Sequence, residues 1–267
     1  MMKQRLVSPI LAVGRDRYRV GRQALQAQDQ QAGVVVLLDD GHQHYSLHRD
    51  VNIVMVDAMD PFGPTGALIP AGTLRETPTL SLARADVVVV HNVNHITNRR
   101  ARSICRMLRR ARGLGPEIPI LTSSFRPSSI LACSGSNFES RPAQELSTRN
   151  VVSIAGTGNP HSFHRTAQQL VGRPLLRELS FPDHHRFSAP ELERVLKGIL
   201  PDSIVLTTEK DYFRDPHVLW QATTAVQCHL WVLRGQLESP SLFPTLEALL
   251  HARGISSYLD DATRRKH

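Results

Sequence analysis

Lysine is nearly absent from this sequence. Of its 32 basic residues only Lys3, Lys197, Lys210 and Lys266 are lysines, and the other 28 are arginines. None of the four stands in a G-K-[ST] sequence: Lys197 is followed by glycine, and Lys210 lies between Glu209 and Asp211. The chain therefore contains no Walker A loop, whose lysine reaches the β- and γ-phosphates of a bound nucleotide. Aromatic residues are scarce at 5%, which leaves few platforms for stacking bases, and no nucleic-acid partner is expected. Cysteine is limited to Cys105, Cys133 and Cys228, odd in number and far apart. That spacing fits neither a zinc site nor a disulfide framework, and it favours a reducing compartment. No apolar run is long enough to cross a bilayer, so membrane contact is expected to be peripheral. The first twenty residues lack the apolar core and cleavage site of a secretory signal, and read as a strand entering a helix.

What is present describes an ordinary globular chain. The 267 residues are 41% hydrophobic and 21% charged, enough for one large or two smaller α/β domains. The net charge of +8 is carried by guanidinium groups, whose forked donors match phosphate oxygens. Short β-rich runs alternate with helical patterns. "GVVVLLDD", "VNIVMVDA", "ADVVVVHNV" and "IPILTSSF" read as strands, and "RVGRQALQAQDQ" and "ITNRRARSICRMLRRARG" as helices. Continuous Val/Leu/Ile strands imply a parallel sheet covered by helices on both faces. The polar stretch "ACSGSNFESRPAQELSTRN" reads as a linker. The boundary is accordingly expected between residues 1–148 and 149–267. Beyond it "NVVSIAGTGNP", "SIVLTTEKD" and "CHLWVLRG" read as strands, and "HSFHRTAQQLVG" and "APELERVLKGIL" as helices.

Five stretches could carry chemistry. Asp39 and Asp40 end an apolar run and are followed by Gln43 and His44. This reads either as a Mg²⁺-holding strand tip or as a solvated turn. Asp60 to Glu76 is a long Gly/Pro-rich loop ending in Arg75 and Glu76, one cation and one anion. "SFPDHHRFS" places Asp183 before His184 and His185, a pattern that can orient an imidazole for proton transfer or bind a metal. "LTTEKD" clusters charge at another strand tip, where Lys210 could meet an anion. The seven arginines between Arg99 and Arg112 make a basic amphipathic helix, suited to anionic lipid, to nucleic acid or simply to solvent.

Taken in order, "VGRDR", "LLDDGHQH", "VMVDAMDPFG", "LIPAGTLRE", "AGTGNP", "FPDHHRF" and "TTEKD" resemble the tetraacyldisaccharide 4'-kinase family. The resemblance covers nearly the whole chain. It implies a P-loop-kinase-like parallel sheet with flanking helices and a smaller C-terminal α/β domain, the two enclosing the active site. The implied reaction is ATP-dependent phosphorylation of the 4'-hydroxyl of tetraacyldisaccharide 1-phosphate in lipid A biosynthesis. ATP and Mg²⁺ are the implied cofactors, and a membrane surface is the implied partner. By resemblance Asp39 and Asp40 manage Mg²⁺, and Gln43, His44, Arg75 and Glu76 line the nucleotide and phosphate site. His184 acts in catalysis with His185 as the alternative, beside Asp183, and Arg15 or Arg17 contacts phosphate or lipid. The implied location is the cytoplasmic face of the inner membrane in a bacterium, or a mitochondrion or plastid in a plant.

The departure from the family is its opening GGxGKTP loop, which has no counterpart here. The nearest imitation, "AGTGNP" from Ala155 to Pro160, has no lysine. The chain is expected to begin inside the family's sequence, beyond the phosphate loop and the acidic partner of the motif histidine. Little or no kinase activity is expected of it alone, and the sheet is expected to carry an exposed edge. A catalytically incomplete family member that binds lipid or a partner is the alternative.

Overall fold

The computed structural model describes residues 10–26, 34–113, 117–135 and 137–255. The chain forms two compact units. One runs from Phe125 to Leu237, and the other joins the residues before it to those from Glu238 onward. The boundary expected at 148/149 thus falls inside the inserted unit. The stretch read as a linker is ordered: β4 (Ser124–Ser134) and β5 (Asn137–Arg141) form an antiparallel hairpin there, followed by the short helix α4 (Glu145–Thr148). Strand β5 is polar at four of its five positions and exposed along nearly its whole length at the sheet edge, a composition that looks like a linker in sequence.

The outer unit contains α1 (Arg17–Gln26), β1 (Ile53–Asp57), α2 (Pro78–Ala83), β2 (Val87–His91), α3 (Asn98–Arg112), β3 (Ile120–Thr122) and α9 (Leu242–Ala252). Its three strands are parallel in the order β1-β2-β3. Four consecutive valines of β2 are fully buried, as expected for a central parallel strand covered on both faces. Leu82 of α2 and Ile104 and Leu108 of α3 pack with Val56, Val88 and Val90. Thr77 and Thr97 cap α2 and α3 by accepting hydrogen bonds from Leu80 N and Arg100 N.

The run Val34–Leu38, expected as a strand, is not one. Among the described residues it pairs with no strand, and Val34 to Leu37 are exposed. Valine and leucine favour a pleated surface only where a neighbouring strand receives their backbone groups, and no described strand lies beside them. The strand expected near the N-terminus is likewise absent from residues 10–14, and its remainder lies outside the described residues.

The inserted unit has a six-stranded sheet in the order β5-β4-β9-β8-β6-β7, with β6 (Val151–Ala155), β7 (Arg177–Ser180), β8 (Ile204–Thr208) and β9 (His229–Glu238). Strands β7, β6, β8 and β9 are mutually parallel. Side chains alternate between two cores. Val152, Ile154, Val205 and Val232 meet α6 (Ala189–Leu196), α7 (Glu209–Arg214) and α8 (Pro216–Ala225). Val151, Ala155, Leu206 and Leu233 meet α4 and α5 (Pro160–Val171) on the other face. The chain passes from β6 outward to β7, then crosses back to β8 on the other side of β6. The carboxyl ends of β6 and β8 therefore form a topological switch point, where open α/β sheets bind ligands.

Candidate functional site

Three of the singled-out motifs meet at that edge. "AGTGNP" leaves β6, "FPDHHRF" leaves β7 and "TTEKD" leaves β8. Asp211 holds them together. Fully buried, it accepts hydrogen bonds from Gly156 N (2.9 Å), Thr208 Oγ1 (2.8 Å) and Arg214 Nη1 (3.2 Å). Arg214 also donates to the His185 carbonyl at 2.8 Å, fastening the histidine loop to α7. A side chain at Gly156 would place its Cβ 3.1 Å from Asp211 Oδ1, so glycine is what allows this approach.

The two histidines differ in surroundings. His185 is occupied: Nε2 lies 2.8 Å from Glu191 Oε2, and its ring stacks on Phe181. His184 is turned outward, 79% exposed, with a left-handed φ of 60°. Its Nε2 lies 3.5 Å from Asp183 Oδ2, and its backbone N–H donates to Asp183 Oδ1. Asp183 in turn takes a 2.7 Å ion pair from Lys210 Nζ. Burial alone would raise the Asp183 pKa, but Lys210 and then His184 outweigh it and hold the carboxyl below its ordinary value. The result is an exposed imidazole beside a carboxylate kept ionised by a lysine.

In the outer unit the candidates fall into two groups. Gln43 Nε2 donates to Glu76 Oε1 at 3.0 Å, and Tyr45 donates to Glu76 Oε2 at 3.2 Å. Arg84 grips both Glu76 oxygens at 2.7 and 2.8 Å, and its guanidinium lies over the Tyr45 ring. Against the upward push of burial, Arg84 and Gln43 depress the Glu76 pKa. The cation paired with Glu76 is thus Arg84, while Arg75 is exposed. His44 Nδ1 faces Ser46 rather than Glu76. Asp39 and Asp40 lie on an exposed turn, Asp40 with φ of 49°. Arg17 donates to the Asp39 carbonyl at 2.7 Å, whereas Arg15 is exposed.

A further cluster sits at the carboxyl ends of β1, β2 and β3. Asn92, in the left-handed region, donates to Asp57 Oδ2 at 3.3 Å, and His91 Nδ1 lies 2.9 Å from Ser123 Oγ. Burial lowers the His91 pKa despite the Asp57 charge. Sequence reading assigned these residues no role. Their only signal was that "VMVD" and "VVVVH" end together in register, Asp57 beside His91, and register is not visible in sequence.

The sequence profile of the family described as "Tetraacyldisaccharide-1-P 4'-kinase" matches residues 1–253. The chain belongs to this family. Among its relatives is the "Probable tetraacyldisaccharide 4'-kinase, mitochondrial" of Arabidopsis thaliana, 39% identical over 192 residues, covering 69% of this chain and 47% of that one. The tetraacyldisaccharide 4'-kinase of Halothermothrix orenii is 34% identical over 79% of this chain and 55% of its own length. That of Anaeromyxobacter sp. (strain K) is 34% identical, over 94% and 63%. A crystal structure of LpxK from Aquifex aeolicus in complex with ATP shares the fold. Its TM-score is 0.50 at 25% identity, and the match covers 89% of this chain and 62% of that one. The chain spans about half the length of the Arabidopsis and Halothermothrix relatives.

Among the described residues no three His, Cys, Asp or Glu side chains gather into a metal site. Mg²⁺ needs fewer, since it is commonly held by one or two carboxylates together with substrate phosphates. Asp39 and Asp40, adjacent, exposed and without side-chain partners among the described residues, have the hard oxygen donors for that role.

Proposed function

We propose that this chain carries the magnesium-binding and acceptor-activating residues of an ATP-dependent 4'-kinase acting on tetraacyldisaccharide 1-phosphate. What supports the reading is the meeting of three family motifs at the switch-point edge, with His184 exposed beside the Asp183–Lys210 pair. In this reading His184 takes the proton of the sugar hydroxyl, and Asp183 orients the imidazole through their 3.5 Å contact. Asp39 and Asp40 hold Mg²⁺, which supplies charge neutralisation at the transferring phosphate. Gln43, held by Glu76, presents its amide near the same turn, and Arg75 and His44 offer further donors to phosphate. His185 braces the loop through Glu191.

The protein works at a membrane surface, where its lipid substrate lies. No helix among the described residues is long and apolar enough to cross a membrane. In a bacterium that surface is the cytoplasmic face of the inner membrane. In a plant it belongs to a mitochondrion or plastid, in line with the name of the Arabidopsis relative.

A second reading has one observation in its favour: the 267 residues contain no G-K-[ST] phosphate loop. It makes the chain a family member that binds the lipid without phosphorylating it. The deciding experiment measures transfer of labelled phosphate from ATP to tetraacyldisaccharide 1-phosphate. It compares the chain alone, the chain joined to the Walker A segment of a relative, and that fusion carrying Asp40→Ala or His184→Ala. Turnover by the fusion, cut about 100-fold or more by either substitution, supports the kinase reading. Undiminished rates in both variants would remove these residues from the mechanism. Lipid binding with no turnover in any form would establish the second reading.

A further inference from the structure

Five of the seven arginines of α3 form a single stripe. Arg99, Arg102, Arg106, Arg109 and Arg110 follow one another at helical spacing, so they fall within an arc of about 100° on one face. The opposite face carries Ile104 and Leu108, both buried in the core of the outer unit. All five guanidinium groups are exposed. The helix contains no acidic residue, and no ion pair joins any of the five to the described residues. Arg100 lies off the stripe, and Arg112 turns away to the Leu82 carbonyl. Like charges three and four residues apart repel, and Arg99 and Arg100 also stand at the positive end of the helix dipole. At the other end the dipole favours Arg109 and Arg110, but among the described residues no carboxylate offsets the stripe, and an external array of phosphates would.

We propose that this stripe docks the protein on an anionic bilayer, with α3 lying along the surface and its arginines engaging lipid phosphates. The choice of a bilayer over a nucleic acid rests on the lipid-kinase reading and on the helix itself. It has no aromatic side chain for stacking, and its 15 residues span about 22 Å, long enough to lay the stripe along a flat surface. Forked guanidinium donors engage headgroup phosphates in pairs.

The test is co-flotation of the full chain with phosphatidylcholine vesicles, with and without phosphatidylglycerol, in the absence of ATP and substrate. Failure of the kinase reading therefore leaves this result untouched, and the reverse holds too. The protein is expected to float only with the anionic vesicles. The triple variant Arg102→Gln, Arg106→Gln, Arg109→Gln should partition on the order of 100-fold more weakly, and Arg106→Gln alone about fivefold. A control variant removing the same charge elsewhere, Arg22→Gln, Arg149→Gln, Arg194→Gln, should lose less than about tenfold if the stripe and not net charge is the dock. Should the triple variant be misfolded by circular dichroism, Arg106→Gln decides. Equal binding to neutral vesicles, equal loss in the control, or no loss in the stripe variants overturns the proposal. So does tighter binding to a DNA duplex than to anionic vesicles.

Discussion

His164 is the residue whose protonation the fold resists most clearly. It is 1% exposed on α5, with Nδ1 2.6 Å from Ser153 Oγ of β6 and Nε2 3.0 Å from Ser180 Oγ at the end of β7. Burial, reinforced by nearby His161, lowers its pKa to about 4. The folded protein thus prefers the neutral ring, while the unfolded chain takes up a proton near the ordinary histidine value. Its contribution to stability is complete above pH ~6.5 and is lost as pH falls toward 4, on the order of 3 kcal/mol. Urea unfolding at pH 7 and pH 4.5 should show this loss, and His164→Phe should abolish most of it. An identical loss in the variant would place the acid sensitivity elsewhere. Since Ser180 begins the run into Asp183, the same bond anchors the histidine loop to the sheet.

At the scale of elements, the crossing of β4 and β9 tolerates no side chain. A Cβ on Gly235 would meet the Phe125 ring and come within 2.6 Å of the Arg126 carbonyl. Because part of that obstruction is backbone, no rotamer change relieves it. Gly235→Ala should cost about 1–3 kcal/mol, read from the urea midpoint. An unchanged midpoint would mean that the strands can separate there without loss. Three of this unit's four parallel strands were legible, because "VVSIA", "IVLTT" and "CHLWVLRG" are β-rich runs bounded by turn chemistry, whereas the polar strand β7 (Arg177–Ser180) was not read as one. The hairpin was not: "SNFESRP" has the composition of a linker, and only its pairing with β4, itself beside β9, makes it a strand. The reverse error occurred at "VVVLL", where propensity was strong but no partner strand is described.

For the whole molecule, the inserted unit leaves and rejoins the chain through adjacent strands, β4 at Phe125 and β9 at Leu237. It has cores on both faces of its sheet, built from its own residues. We expect a fragment from Phe125 to Leu237 to fold alone with a single cooperative unfolding transition, followed by circular dichroism and amide dispersion in NMR. A fragment lacking dispersion would show that the unit depends on the rest of the chain. A boundary drawn from sequence alone, at 148/149, would have cut β4 and β5 from β9. Composition changes there, but hydrogen bonding does not stop there.

The sequence by itself determined the α/β class, the central buried strands, the helical stretches over Asn98–Arg112 and Pro160–Val171, and the ordered motifs that mark the family. Each depends on residues close together along the chain: apolar period and turn formers. Only the tertiary structure decided that Asp211 joins three motifs, that Glu76 pairs with Arg84 and not Arg75, and that His184 is free while His185 is bound to Glu191. Such contacts depend on strand order and register. These are fixed when crossovers bring distant segments into one sheet, and no local pattern encodes which strands become neighbours.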